Sequence, residues 1–256
     1  GWSHHWDTLP AVHFTSILFD LLAIFGLALV GWRLGGPRIG AAAAFAWAAW
    51  PFTQYASNSN TNDAIMPALL VLGFAALTSD PVRGVAVALA GWTKFASLLV
   101  LPLWLGYPDA RDRRSVLRML TAFCVATLAV FLIVLLHWPP WDSLRTFYDR
   151  TVRFQYGRDS PFSLWDWHQY HAKGLPDLHL VQRVLQVLLV VGALVLGWIP
   201  RRRSPLRLAA FTGLLLVGFE LVLTHWFDLY LPWFFPFVVL ALLAPVPGRT
   251  RDREPA

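Results

Sequence analysis

Long apolar runs separated by arginine-rich turns decide what this chain folds into. Residues 12–32 carry a single carboxylate, Asp20, and residues 119–137 carry no Asp, Glu, Lys or Arg. Such runs approach or exceed the ~17–20 apolar residues that cross a hydrocarbon core as a helix. Backbone polar groups at that depth must be satisfied internally, which favours helices. Further apolar runs occupy 39–56, 64–78, 181–199, 208–225 and 230–243. Only 14% of the 256 residues are charged, against roughly a quarter in a soluble domain. The expected fold is therefore all-α, a polytopic transmembrane helix bundle. It forms one membrane domain over 1–248, followed by a short disordered tail, 249–256.

The net charge of +6 does not point to nucleic acid, because the arginines sit at span ends, where membrane topology collects them. They come as Arg33 and Arg38, then Arg83, then Arg111, Arg113, Arg114 and Arg118, then Arg201, Arg202, Arg203 and Arg207, and last Arg249, Arg251 and Arg253. One segment disturbs the pattern. Residues 84–107 are nearly all apolar, yet carry Lys94 in the middle. A single crossing there would land the four-arginine turn opposite the earlier basic turns. A re-entrant broken hairpin, two half-helices with Lys94 near the tip, leaves every cluster on one side, as the positive-inside rule requires. Broken backbone at membrane depth needs a protein or cavity lining, and a lysine there needs a polar cavity or a partner. The prediction is seven crossings plus the hairpin, with the C-terminus cytoplasmic.

On this topology polar groups gather at the outer ends of the spans. They come from an interfacial opening segment, 1–11, with His4, His5 and Asp7, and from the plug SNSNTND at 57–63. The long outer loop, 138–180, and THWFDLY at 224–230 add the rest. The first part of the loop reads as an amphipathic interfacial helix with Asp142 as a cap and Leu144, Phe147, Tyr148 and Phe154 as apolar contacts. Asp20 lies about 12 Å and Glu220 about 8 Å inside the ends of their spans. Carboxylates beside histidines and arginines suit a reaction in which a base activates a hydroxyl while cations stabilise a phosphate leaving group.

Each feature also has a purely structural reading. SNSNTND suits a turn and a helix cap, with Asn62 or Asp63 capping the next helix. Arg145, Arg150, Arg153 and Arg158 suit a solvated or headgroup-facing surface. His225 and Trp226 suit interface anchors. Asp20 and Glu220 suit interhelical hydrogen bonding, and Lys94 a structural ion pair. The histidines lack metal-ligand spacing and Cys124 is alone, so neither a metal site nor a disulfide is expected.

The stretches YASNSNTNDAIMPALLVLGFAAL and GWTKFASLLVLPLWLG, with YDRTVRFQYGRDSPFSLW and THWFDLYLPWFFP, carry a resemblance. The chain resembles actinobacterial polytopic membrane glycosyltransferases of the GT-C superfamily, near glycosyltransferase family 87, over essentially its whole length. The resemblance implies inverting sugar transfer from a polyprenyl-phosphate sugar to an acceptor on the outer face of a bacterial plasma membrane. No cofactor is implied beyond the lipid-phosphate sugar as donor substrate. It also implies a catalytic acid on the first extracytoplasmic loop. That N-terminal part is expected before Gly1, and Asp7 matches no motif. The matching stretches carry Asn60, Asn62, Asp63, Lys94, Arg158, His225 and Asp228 as cavity residues. Chemistry assigns Asp63 and Asp228 to the acceptor and Lys94 and Arg158 to the lipid phosphate, with His225, Asn60 and Asn62 as further substrate contacts. Expected partners are membrane lipids and the polyprenyl-phosphate sugar, and no nucleic acid. Two other classes stay open: a transporter or flippase of a lipid-linked or small polar substrate, which Asp20, Lys94 and Glu220 also fit, and a non-catalytic membrane scaffold.

Overall fold

A computed structural model describes residues 9–136, 139–154, 163–165 and 178–244. Among them the chain is helices and turns without a strand, and an isolated bridge pairs Asp109 with Arg202. Helix α1 (Pro10–Gly35) starts on a proline, whose missing N–H has no helical partner to lose, and stops at Gly36, whose φ of 86° suits glycine. Pro37 opens α2 (Pro37–Ala49) immediately. The two helices pack so closely that a Cβ on Gly40 would lie 2.5 Å from the Ala28 carbonyl oxygen, the close approach that small residues permit between membrane helices. Trp50 is extended (ψ 128°) and Pro51 starts α3 (Pro51–Asn58), so the proline breaks the second span. The Trp50 ring stacks on Phe235, with centroids 3.7 Å apart.

Helix α4 (Ile65–Ala75) has 11 residues and is about 16 Å long, roughly half a hydrocarbon core. The 26 residues of α1 cover about 39 Å. The polar turn before α4 is therefore sunk below the level that a full-length span reaches. That turn does not cap α4 with Asn62 or Asp63: Ala64 is the N-cap and no side chain bonds the first turn. The Asp63 carboxylate is turned inward to other partners.

The hairpin follows. Helix α5 (Asp80–Thr93) ends at an extended Lys94 (φ −145°, ψ 118°). A 3₁₀ turn (Phe95–Val100) and the short α6 (Leu101–Leu105) lead back. The return closes where the hairpin began. The Arg83 guanidinium lies 5.2 Å from the centre of the Tyr107 ring. It is fully buried, and bonds Asp80 at 2.5 Å and Ser115 at 3.2 Å. Beyond it, Ala110 N–H donates to the Arg201 carbonyl and Arg203 N–H to the Pro108 carbonyl, each at 3.0 Å. The four-arginine turn and the Arg201–Arg203 turn thus share one end of the bundle. Arg33 donates to the Ala75 carbonyl, which brings the end of α1 to the same side.

Helix α7 (Arg113–Leu135) is capped by Asp112, whose carboxylate accepts from the Arg114 and Ser115 amides. Helix α8 (Pro140–Tyr148) continues through a π turn (Asp149–Arg153). Asp142 lies in its first turn, but no side chain caps it. Phe147 meets Phe131 at 5.5 Å and Trp92 at 6.3 Å, while Tyr148 and Phe154 are exposed. Helices α9 (His179–Trp198) and α10 (Pro205–Leu221), a 3₁₀ turn (Asp228–Trp233) and α11 (Phe235–Leu243) complete the bundle. Helices α1, α7 and α9 are long and apolar enough to cross a membrane. The core is made by large fully buried side chains such as Trp47, Met66, Leu70, Trp104 and Phe237. The expected all-α bundle with a broken hairpin is the fold observed. The segment 1–8, Arg158 and the tail fall outside the described residues.

Candidate active site

The site is built from three polar interruptions that meet at the end of the bundle opposite the arginine turns. The first is the turn after α3. Asn60 takes a left-handed φ of 53°, which its side chain tolerates better than most. The Ser16 hydroxyl donates to the Thr61 carbonyl at 2.9 Å, and the Thr61 hydroxyl donates to the Ala56 carbonyl at 3.2 Å. This pinned turn points Asp63 into the protein.

The second interruption is the hairpin tip. The Lys94 amide still belongs to α5, donating to Ala90 at 2.8 Å. The Ser97 hydroxyl donates to the Lys94 carbonyl at 2.9 Å, so the opened backbone is satisfied locally. The Lys94 ammonium lies 2.9 Å from Asp63 Oδ1.

The third interruption lies between α10 and α11. Trp233 Nε1–H donates to the same Asp63 oxygen at 3.0 Å. The Tyr230 and Trp233 rings stack with centroids 4.2 Å apart. The Lys94 ammonium sits 5.6 Å and 5.3 Å from their centres, within the range where a ring face attracts a cation. His225 is buried, its ring 4.8 Å from Phe227. The helix end that frees this turn is stitched down by distant side chains. Gln182 and Gln186 each donate to the Val222 carbonyl at 3.0 Å. Trp165 donates to Leu221 at 2.8 Å and Ser163 to Leu223 at 3.0 Å. These are carbonyls that a helix end leaves without intrahelical partners.

The three parts, with α8, its π turn and side chains of α9 and α10, line a half-open cavity of about 490 Å³, in the size range of small-molecule sites. Asn62, Thr93, Lys94, Arg150, Thr224 and His225 supply polar lining, and Trp92, Phe147, Tyr230 and Trp233 supply aromatic walls. Aromatic walls and a polar lining with a fixed ammonium, in a bundle with membrane-length helices, suit a polar substrate. The sequence model of glycosyltransferase family 87 matches residues 5–224. The chain belongs to glycosyltransferase family 87. No curated protein and no solved structure matches it.

This family-87 glycosyltransferase is thus a membrane transferase of sugars, and its candidate residues divide by position. Lys94, Asn62 and His225 line the cavity. Asp63 is behind the wall, with a side chain only 5% exposed, and reaches the cavity through Lys94. Asn60 holds the turn, and Asp228 opens the last 3₁₀ turn. Neither is among the cavity's lining residues. Asp20 accepts a hydrogen bond from Trp47 Nε1 at 2.8 Å, which is the interhelical role. Glu220 is buried and bonded by Trp226, and its Oε1 has no hydrogen-bond partner among the described residues. No group of three His, Cys, Asp or Glu side chains suited to a metal gathers among the described residues.

Two features of the site escaped the sequence reading, though each left a trace there. Arg150 was grouped with a headgroup-facing set, yet it lines the cavity. Asp149 faces Arg145 at 4.0 Å and Arg153 at 3.6 Å, both at helical i,i+4 spacing. Among the described arginines of that stretch, Arg150 stands outside the i,i+4 pattern. Tyr230 and Trp233 are three residues apart, a spacing that a 3₁₀ turn eclipses, and so they stack.

Proposed function

We propose that this chain transfers a sugar from a polyprenyl-phosphate sugar to an acceptor hydroxyl on the outer face, in GT-C manner. The observation that carries this reading is the Lys94–Asp63 pair at 2.9 Å, with its ammonium in the cavity wall. An anionic leaving group needs a fixed cation where its charge develops, and a lysine held by a buried carboxylate and two ring faces is such a cation. The acceptor oxygen forms the new bond to the sugar's anomeric carbon from the face opposite the phosphate. The bond from that carbon to the phosphate oxygen breaks, and its electron pair leaves on the polyprenyl phosphate. The hydroxyl proton passes to a carboxylate, which this reading assigns to Asp228, at the start of the 3₁₀ turn that supplies Tyr230 and Trp233 to the wall; Asp63, sealed behind the wall, acts by positioning Lys94. Lys94 and Arg158 meet the phosphate, His225 and Asn62 contact the substrate from the cavity wall, and Asn60, outside the lining, holds the turn that carries Asn62.

The test is transfer from a panel of polyprenyl-phosphate sugars, radiolabelled in the sugar, by purified protein in lipid. Lys94→Ala is expected to lower turnover by roughly 10²-fold or more while membrane insertion is retained. Turnover equal to the parent would contradict the role. A second reading, a flippase of the same lipid-linked sugar, draws support from the buried Glu220 beside the site, since buried carboxylates at depth often serve transport. Movement of labelled lipid across a proteoliposome membrane without transfer would favour it.

A further inference from the structure

At the other end of the molecule, helices α5 and α7 leave an open groove of about 750 Å³. From the sequence and structure together we infer that it is a binding site for one anionic phospholipid, independent of the sugar-transfer reading.

The groove has a charged end and an apolar length. Arg114, Leu117, Arg118, Thr121, Ala122 and Val125 line it, at spacings of three and four that put them on one face of α7. Arg113 stands beside them, and Pro81 and Val85 of α5 form the facing wall. The helices touch at Gly84, where an added Cβ would meet the Met119 carbonyl oxygen and lie 3.0 Å from the Ala122 Cβ. That contact makes the floor, and small Thr121 and Ala122 keep it open. From Arg113 to Val125 the helix rises about 18 Å. One leaflet of a ~30 Å hydrocarbon core is about 15 Å deep. A lipid with its phosphate at the arginines would therefore lay an acyl chain along the stripe to about the bilayer centre.

Charge selects the headgroup. Among the described residues the acids at this end are already engaged. Asp80 bonds Arg83 at 2.5 Å and Ser115 at 2.6 Å. Asp112 caps α7 through two backbone amides. Asp109 pairs with Arg202. Arg113, Arg114 and Arg118 are exposed and have no ion pair among the described residues. Three guanidiniums within six residues, beside an apolar track with Leu117 and Val125 each 61% exposed, match a phosphodiester on a hydrocarbon tail. Arginine favours phosphate through its planar fork of donors. A zwitterionic lipid offers the same tail, but its ammonium group would meet three positive charges.

Native mass spectrometry of the full chain, released from micelles containing equal phosphatidylglycerol and phosphatidylcholine, tests this. One phosphatidylglycerol is expected to stay bound in several-fold excess over phosphatidylcholine, and the excess is expected to vanish in R113Q/R114Q/R118Q. Val125→Trp, which fills the apolar track and leaves the arginines intact, is expected to reduce retention of both lipids and serves if the triple variant does not fold. Equal retention of the two lipids by the parent chain would overturn the proposal. So would an unchanged preference in the triple variant, unchanged retention in Val125→Trp, or a dimer that buries this face in place of lipid.

Discussion

The Lys94 side chain is 19% exposed and the Asp63 side chain 5%, so the pair is a cation at a cavity wall and an anion sealed behind it. Removing the cation alone strands the anion. Breaking one side of a buried pair costs about 3–5 kcal/mol, whereas an apolar replacement of both partners is often neutral. Lys94→Met is therefore expected to lower the melting temperature in detergent, and Asp63→Leu added to it to restore most of the loss. Purely additive losses would contradict the pair. The sequence made Lys94 conspicuous, because a lysine among apolar residues needs a partner. It could not name the partner among the neighbouring acids, since the choice of Asp63 depends on how a 59–64 turn sits under Trp233, some 170 residues away. Arg150 is obscured for the same reason: the arginines of one short basic stretch look alike in sequence until a wall of the cavity touches one of them.

At the level of elements, the hairpin rests on how closely α5 approaches α7. Gly84→Leu would drive a side chain into the Met119 carbonyl and the Phe123 amide. Forcing methylenes into packed structure typically costs about 1–3 kcal/mol, so a lowered melting temperature is expected, and an unchanged one would mean that α5 stands off α7. The loops at the hairpin's open end are tied by Asp109. The Arg111 backbone amide, with smaller help from Arg202, holds its carboxyl below the usual carboxylate value of 3.8. A folded pKa below the unfolded one gives stability that is present above the unfolded pKa and is lost as pH falls through the folded one. Asp109→Asn is thus expected to be less stable than the parent at neutral pH, with the difference closing as pH falls below 3.8. A difference independent of pH would remove the carboxylate from the account. The helices themselves are legible as apolar runs. Caps are not. Asp63 and Asp142 have the right residue type, but α4 and α8 start without side-chain caps: Asp63 is drawn into a tertiary contact, and Asp142 lies inside the first turn, after Pro139 has taken the N-cap position.

Across the whole molecule, one arrangement organises the rest. Among the described residues the chain runs between an arginine-bearing end and a polar mouth, and the hairpin leaves the arginine end, reaches the mouth with Lys94 and returns to the end it left. That turn is what brings Lys94 to the cavity and returns the chain to Arg83, Ser115 and Arg202. Arginine spacing pointed to it in the sequence, since the positive-inside rule is a property of ends and not of contacts. The shape of the mouth was not legible, because it depends on short α4 sinking a polar turn and on side chains from α9 and the long loop holding the end of α10. The most direct test is cysteine labelling in a Cys124→Ser chain, with Asp112→Cys and Arg201→Cys made singly and probed with a membrane-impermeant maleimide in sealed, oriented vesicles. Both positions are expected to react from the same side and neither from the other. Reaction of the two from opposite sides would mean that residues 84–107 cross the membrane, and the cavity described here would not exist.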